Sequence, residues 1–153
     1  MKFTRFRKIT AGTLAAIAAT LLLQTSIARA AGHGPIRINY EKCFVADAGP
    51  FGGHYEGIVS GDLGVGTVTF YFESVVPGDV IWRFSGQYTI STPEAEITVL
   101  AAGIDNLRSG GGHDVLNGEV IAGDYEGAQA HVRAHDTNGG ACSQGTITIT
   151  GKK

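Results

Sequence analysis

The spacing of turn-forming residues is the feature that most constrains the fold of this chain. From about position 34 onward, clusters of Gly, Pro, Asn and Asp separate short runs that are rich in Val, Ile, Thr and aromatic residues. This punctuation is typical of β-strands joined by tight turns, and connections this short force consecutive strands to pair antiparallel. Such a meander ends as a sandwich or as a closed up-and-down β-barrel. The runs predict eight strands, near residues 35–46, 53–60, 66–76, 80–90, 94–104, 113–122, 125–136 and 142–150.

The two cysteines decide between a sandwich and a barrel. Apolar residues alternate over 36–40 in the first strand and over 147–149 in the last. If these residues face inward, the period of two places Cys43 and Cys142 together on the outer surface. A disulfide between them requires the first and last strands to be neighbours, which closes a barrel; the alternative is two free thiols. The sequence therefore predicts an all-β, closed antiparallel up-and-down barrel of about eight strands with a Cys43–Cys142 bridge.

Residues 1–30 have the pattern of a secretory signal peptide. Four positive charges precede an apolar run over about 11–23, and Ala28-Arg29-Ala30 matches a small-x-small cleavage site. The apolar run is shorter than the roughly 20 residues that a membrane-spanning helix needs. We expect cleavage near Ala30, a secreted or periplasmic protein that leaves the membrane after cleavage, and a single barrel domain over 31–153.

Charge and motif content exclude several classes of function. The signal segment holds five of the 12 basic residues, so the remaining chain has seven Lys and Arg against 14 Asp and Glu. This acidic balance argues against nucleic-acid binding. No P-loop and no nucleophile elbow occurs. His131 and His135 would lie about 13 Å apart on a strand, too far to share one zinc ion. We expect solvent-facing histidines, no metal site and no cofactor.

Two neighbouring strands carry aromatic residues that alternation places on one face. A three-residue loop, Pro77-Gly78-Asp79, would pair Val76 with Val80 and bring the two aromatic faces together. Burial of each aromatic is worth roughly 2 kcal/mol, which favours this register over one that exposes them. The aromatic side chains predicted to line the barrel interior and bind a ligand are Phe70, Phe72, Trp82, Phe84 and Tyr88.

The sixth and seventh strands supply the predicted polar groups of the interior. Gly123-Asp124 suits a two-residue type II′ hairpin. In that register Asn117, Glu119 and Glu126 point inward, while the His- and Arg-bearing face of the seventh strand points to solvent. A carboxyl group in an apolar interior is a candidate general acid or ligand anchor. The alternatives are a hydrated position at the rim and a bulge that turns the side chain outward.

The segment Val-Leu-Asn-Gly-Glu-Val-Ile-Ala-Gly-Asp-Tyr-Glu-Gly-Ala over 115–128 resembles the allene oxide cyclase barrel and dirigent-like proteins. The penultimate strands of those proteins carry a similar Gly-x-Gly-aromatic-x-Gly-Ala turn, and the likeness covers residues 51–149. Asp124 departs from the Thr-Gly pair that is frequent there. The resemblance implies a small barrel whose members include cyclases and stereochemical guides for radical coupling; it assigns no catalytic residue to this chain.

Three functions remain open at this stage. The first is a secreted barrel that binds a small, largely apolar molecule in its lumen and cyclises or isomerises it without a cofactor. Asn117 and Glu119 would be the catalytic groups, and Glu126 would join the aromatic residues in binding the ligand. The second is a non-catalytic carrier comparable in role to a lipocalin. The third is a protein-interaction module with a solid core.

Overall fold

A computed structural model describes residues 34–109 and 111–151 of the chain, and the predicted signal peptide lies outside them. Each strand pairs antiparallel with the next, and the last pairs with the first, so that the sheet closes into a barrel. The predicted all-β, closed up-and-down barrel is confirmed. Within the described residues, no helix is long and apolar enough to cross a membrane. The strands are β1 (Ile36–Ala46), β2 (Gly53–Gly61), β3 (Gly66–Val76), β4 (Ile81–Ser91), β5 (Glu96–Asn106), β6 (His113–Gly123), β7 (Gln129–Thr137) and β8 (Cys142–Thr150); 3₁₀ turns occur at Leu107–Ser109 and Asn138–Gly140.

The disulfide lies on the seam that closes the barrel. Cys43 in β1 is directly opposite Cys142 in β8, with 4.0 Å between their Cα atoms, and the two are bonded. The predicted pairing is confirmed, as is the adjacency of the first and last strands. A disulfide is compatible with an oxidising compartment.

Removing the disulfide is expected to lower the free energy of unfolding by about 4 kcal/mol. The bridge joins residues 99 positions apart, and a closed loop of this length restricts the unfolded chain by about that amount in the chain-entropy model. The double variant Cys43→Ser/Cys142→Ser is compared with the wild type by urea unfolding. Reductant should shift the wild-type midpoint towards that of the variant and leave the variant unchanged. Equal midpoints for the oxidised wild type and the variant would contradict the prediction.

The barrel interior is filled at one end. This end carries the β2–β3, β4–β5 and β6–β7 connections, and Leu63 and Ala95 are buried beneath it. Each buried Val or Ile contributes about 1.5–3 kcal/mol through removal of its apolar surface from water. This half of the barrel interior is therefore packed, and the interior pocket lies at the other end. The aliphatic residues that fill the packed half include Ile38, Val59, Val68, Ile90, Ile97, Val99, Val120, Ile147 and Ile149.

The aromatic faces of β3 and β4 meet as predicted, although in a different register. Phe70 is opposite Tyr88, and Phe72 is opposite Gly86. The predicted Val76–Val80 pair is wrong, because Val76 pairs with Arg83. The predicted register would pair Phe70 with Gly86, two residues from its observed partner Tyr88. A shift of two residues leaves each side chain on the same face of the sheet, so the aromatic side chains still share the interior. A bulge between Phe72 and Ser74 displaces the pairing by one further residue near the loop.

The β6–β7 connection is longer than the predicted two residues. Glu119 pairs with Gln129, and residues 124–128 form the connection. Tyr125 and Gly127 both have positive φ, 67° and 83°, and the Gly127 N–H donates to the Val120 carbonyl at 2.8 Å. With this five-residue connection, the partner of each β6 residue in β7 is one position later than in the predicted hairpin. The predicted two-residue hairpin is therefore wrong.

This shift of one residue reverses the faces of β6. Val120 points inward, whereas Asn117 and Glu119, predicted to lie in the interior, are exposed on the outer surface. Glu126, also predicted to face inward, is exposed in the connection. The inward orientation of these three residues is a wrong prediction. The orientation predicted for β7 is correct, because Ala130, Val132 and Ala134 are buried.

Candidate functional site

A pocket of about 530 Å³ opens at the end of the barrel opposite the packed half. Here β1, β3, β5 and β7 end, and β2, β4, β6 and β8 begin. This volume is in the range of small-molecule sites, which are concave and mainly apolar with a few placed polar groups. Barrels of eight strands can hold one small ligand in this way.

Aromatic side chains form one wall of the pocket. Phe70 packs at 5.0 Å from Phe72 and 4.5 Å from Tyr88, as measured between ring centroids. Phe72 lies 5.7 Å from Phe84 in an edge-to-face arrangement. Such contacts hold the rings in place beyond what burial alone provides. The wall is therefore assembled before any ligand arrives, and Trp82 extends it to the rim.

A lysine lies inside this aromatic enclosure. Lys42 continues the inward positions of β1 and is only 3% exposed. Its Nζ lies 4.1 Å from the ring centroid of Tyr55 and 4.7 Å from that of Phe70. The rings of Tyr40 and Tyr88 are 5.6 and 5.7 Å away. Ring faces attract the ammonium form at these distances. Burial nevertheless lowers the pKa of Lys42 to about 8, and the charges of nearby aspartates only partly oppose this effect.

Three aspartates share the pocket with the lysine. Asp114 in β6 is 8% exposed, and burial together with repulsion from Asp105 raises its pKa to about 7, against an opposing effect of Lys42. Burial also raises the pKa of Asp105 and of Asp136. A carboxyl group that keeps its proton near neutral pH can both donate and accept one there.

Gly112 allows two of these carboxylates to approach the strand. A Cβ atom at position 112 would overlap Asp136 Oδ2 and Asp105 Oδ1 where they now lie, so glycine lets both carboxylates keep these positions. The backbone also connects this segment to β7, because the Asp136 N–H donates to the Gly112 carbonyl at 2.8 Å. The start of β6 is therefore shaped around the acidic side of the pocket.

Buried hydroxyl groups complete the polar part of this region. Among the described residues, the buried hydroxyls of Tyr40, Tyr88 and Ser143 lie close together, with Tyr40 near enough to both of the others for side-chain hydrogen bonding. Ser143 lines the pocket. A buried hydroxyl without a partner costs about 1–3 kcal/mol. Hydrogen bonding among these three hydroxyls would avoid that cost and leaves a polar layer beneath the pocket.

The predicted aromatic residues and the predicted polar residues have different outcomes. Phe70, Phe72, Trp82 and Phe84 line the pocket, and Tyr88 packs beneath Phe70. Their part in ligand binding stays a prediction.

The predicted polar residues do not reach the pocket. Glu126 is in the connection at the opposite end of the barrel, and Glu119 is on the outer face. Asn117 Oδ1 accepts a hydrogen bond from His131 Nδ1 at 2.7 Å, also outside, and Arg133 Nε donates to the other ring nitrogen of His131 at 2.9 Å.

None of the four charged residues of the pocket, Lys42, Asp105, Asp114 and Asp136, was predicted from the sequence. Lys42 follows Tyr40 by two positions in β1, Asp136 follows Ala134 by two in β7, and Asp114 precedes Leu116 by two in β6. Because side chains of a strand alternate between its faces, each of these three charged residues lies on the same inward face as the buried residue two positions away. That alternation was a usable signal, but charged residues at the end of a strand are usually hydrated.

A second cluster of titratable residues lies on the outer face of the barrel, at the same end as the pocket, and holds the β1–β2 loop in place. His54 is buried, with Nδ1 at 2.5 Å from Asp47 Oδ2 and Nε2 at 2.8 Å from Glu56 Oε1. Hydrogen bonds to Glu56 and Asp47 raise the pKa of His54. Its ring stacks on Tyr71 at 4.7 Å, and the loop it holds places Phe51 at 5.9 Å from Phe72. Within residues 34–109 and 111–151, no group of His, Cys, Asp and Glu is arranged to hold a metal ion.

The protein is a small eight-stranded barrel whose first and last strands are joined by a disulfide. At one end it has a cavity with an aromatic wall and charged residues at its base. Comparison of the chain with protein-family models, with curated proteins and with solved structures found no significant match. The resemblance to the allene oxide cyclase barrel and dirigent-like proteins stays a prediction that rests on the segment 115–128.

Proposed function

We propose that the barrel binds a small, largely apolar molecule in the 530 Å³ pocket and transfers protons at the polar end of that molecule. The observation that carries this proposal is that Lys42 and Asp114 are both buried in one pocket with an aromatic wall. We further propose that the protein works outside the cytoplasm, in line with its disulfide and the predicted signal peptide.

The pocket offers different surroundings to the two ends of a ligand. Phe72 and Phe84 give an apolar body a rigid surface, and Trp82 at the rim is half-exposed. Desolvation of the body by these rings supplies affinity, whereas the charged and hydroxyl groups at the base determine the orientation. A ligand bound in this way has its polar atoms next to Asp114.

Asp114 is suited to acid–base chemistry because its pKa is close to neutral pH. The acid form can protonate a carbonyl or hydroxyl oxygen, and the carboxylate can remove a proton from a neighbouring carbon. Taking a proton from one carbon and returning it to another is an isomerisation. Holding a flexible reactant folded against the aromatic wall would favour a cyclisation. These roles replace those predicted for Glu119 and Asn117.

Trp82 gives a direct test of binding because it is the only tryptophan of the chain and lines the pocket. The neutral dye Nile red should quench Trp82 fluorescence by energy transfer with a saturable dependence on concentration. Phe84→Ala removes part of the wall and should weaken binding at least fivefold. Ile58→Ala, whose side chain is 62% exposed on the outer face, serves as the matched control and should bind as the wild type does. Equal affinities for the wild type and Phe84→Ala would contradict the proposal.

The non-catalytic carrier uses the same pocket and differs only in what happens to the ligand. A small molecule extracted from the purified protein, identified by mass spectrometry and returned unchanged after incubation, would favour the carrier. Conversion of that molecule to an isomer by the wild type, and not by Asp114→Asn, would favour the enzyme.

A further inference from the structure

We propose that the ligands of this pocket include small apolar aldehydes or ketones, and that Lys42 Nζ binds them covalently as an imine. The inference rests on the ligand-binding function proposed above and names a chemical class for it. It follows from the position of one amine within the enclosure of rings and carboxyl groups.

Lys42 is the only lysine within the described residues, and its Nζ lies among four aromatic rings at the base of the pocket. No carboxylate of the described part of the chain lies within ion-pair distance of Nζ. The amine therefore faces the pocket without a fixed anionic partner. Lysines that form Schiff bases occupy desolvated sites of this kind, because loss of water favours the neutral, nucleophilic amine.

The acidic groups around the lysine select the kind of polar end that a ligand can carry. Asp105, Asp114 and Asp136 line the same pocket, and each gains a raised pKa from burial. An anionic ligand would add a fourth carboxylate to a buried site where three carboxyl groups already ionise less readily than in water, and the added charge would be repelled by them. A neutral carbonyl avoids this repulsion and presents an electrophilic carbon to the amine.

The reaction balances without an oxidant or a reductant. The lone pair of neutral Lys42 attacks the carbonyl carbon, and one of the two nitrogen protons passes to the former carbonyl oxygen to give a neutral carbinolamine. Asp114 then protonates the hydroxyl group, which leaves as water while the C=N bond forms. The Asp114 carboxylate takes the remaining nitrogen proton, which gives the neutral imine and restores the acid. The lowered pKa of Lys42, about 8, increases the fraction of neutral amine at neutral pH.

Reductive trapping tests the proposal. The full chain is incubated with cinnamaldehyde and sodium cyanoborohydride at pH 7.5, digested and mapped by mass spectrometry. The reduced adduct should appear on Lys42 at least tenfold faster than on Lys152 and Lys153, which serve as internal reference amines. The charged aldehyde 4-formylbenzenesulfonate should reverse this preference. Asp114→Asn should slow the Lys42 adduct at least fivefold, and Glu119→Gln, with the carboxylate on the outer face, should not.

The outcomes separate this inference from the function on which it depends. Nile red binding without preferential labelling of Lys42 would overturn the imine proposal and leave the pocket in place. Absence of both Nile red binding and preferential labelling would overturn both proposals. Equal labelling of Lys42 by the neutral and the charged aldehyde would also overturn the inference, because it would show an amine that is open to solvent.

Discussion

Asp114→Asn is expected to remove the contribution of this carboxyl group to the pH dependence of stability, a decline of about 3–4 kcal/mol in the free energy of unfolding between pH 4 and pH 7. The Asp114 carboxyl has a pKa of about 7 in the folded protein, against an ordinary value of 3.8. Over this window the folded state keeps a proton that the unfolded state has released. The contribution of Asp114 to the free energy of unfolding is therefore greatest below pH 4, and it declines as the pH rises from 4 to 7.

Other groups contribute to the same profile and remain in the variant. Asp105 and Asp136 also have raised pKa values because of burial, so their contributions decline in the same direction. The raised pKa of His54, due to Glu56 and Asp47, adds stability that is lost as the pH rises through that pKa. Lys42, with its lowered pKa, is protonated in both states up to neutral pH and adds stability only above about pH 8.

The measurement is urea unfolding of the wild type and Asp114→Asn at intervals from pH 4 to pH 8. Near neutral pH the variant should be the more stable protein, because its amide resembles the protonated acid and need not ionise. Glu119→Gln, on the outer face, should keep the wild-type slope. A slope for Asp114→Asn as steep as that of the wild type would show that Asp114 titrates normally. A gain in stability there would be typical of a residue retained for function rather than for folding.

Phe70→Ala is expected to destabilise the protein by about 3–5 kcal/mol, the range for deletion of a fully buried aromatic side chain. Phe70 has no exposed surface. Its ring contacts Phe72, Phe84 and Tyr88, and it is also one of the rings around Lys42. The substitution removes the ring at the boundary between the packed half of the barrel and the pocket.

Thermal and urea unfolding would measure this loss, with Ile58→Ala as the exposed control, for which a change below about 0.5 kcal/mol is expected. The variant should also bind Nile red with a changed affinity, because its pocket extends down to Tyr88. A destabilisation under 1 kcal/mol would show that Phe70 is not a central packing residue, contrary to its complete burial.

Much of the architecture could be predicted from local patterns. Short turn-rich connections dictated antiparallel neighbours, and the period of two assigned the inward faces of β1, β3, β4, β7 and β8. The cysteine positions then required β1 and β8 to meet, which chose the barrel over the sandwich. These inferences succeeded because side-chain alternation in a strand is a property of the backbone and tolerates errors of two residues in register.

The face of β6 could not be predicted from its own residues. Glu119 and Val120 are adjacent in sequence, and a difference of one residue in the next connection decides which of them enters the barrel. The observed connection places Tyr125, a residue that rarely adopts positive φ, in the left-handed region. Gly123-Asp124 was therefore a misleading hairpin signal, because the chain turns over five residues instead of two.

The sequence by itself determined the eight strands, their antiparallel order, the disulfide that joins the first strand to the last and the aromatic residues of the interior. Only the tertiary structure decided which polar groups share that interior. Lys42, Asp105, Asp114 and Asp136 belong to β1, β5, β6 and β7, and closure of the barrel is what places them around one pocket. Their altered pKa values arise from burial and from mutual charge interactions, two quantities that depend on distances in space and have no counterpart in the order of residues along the chain.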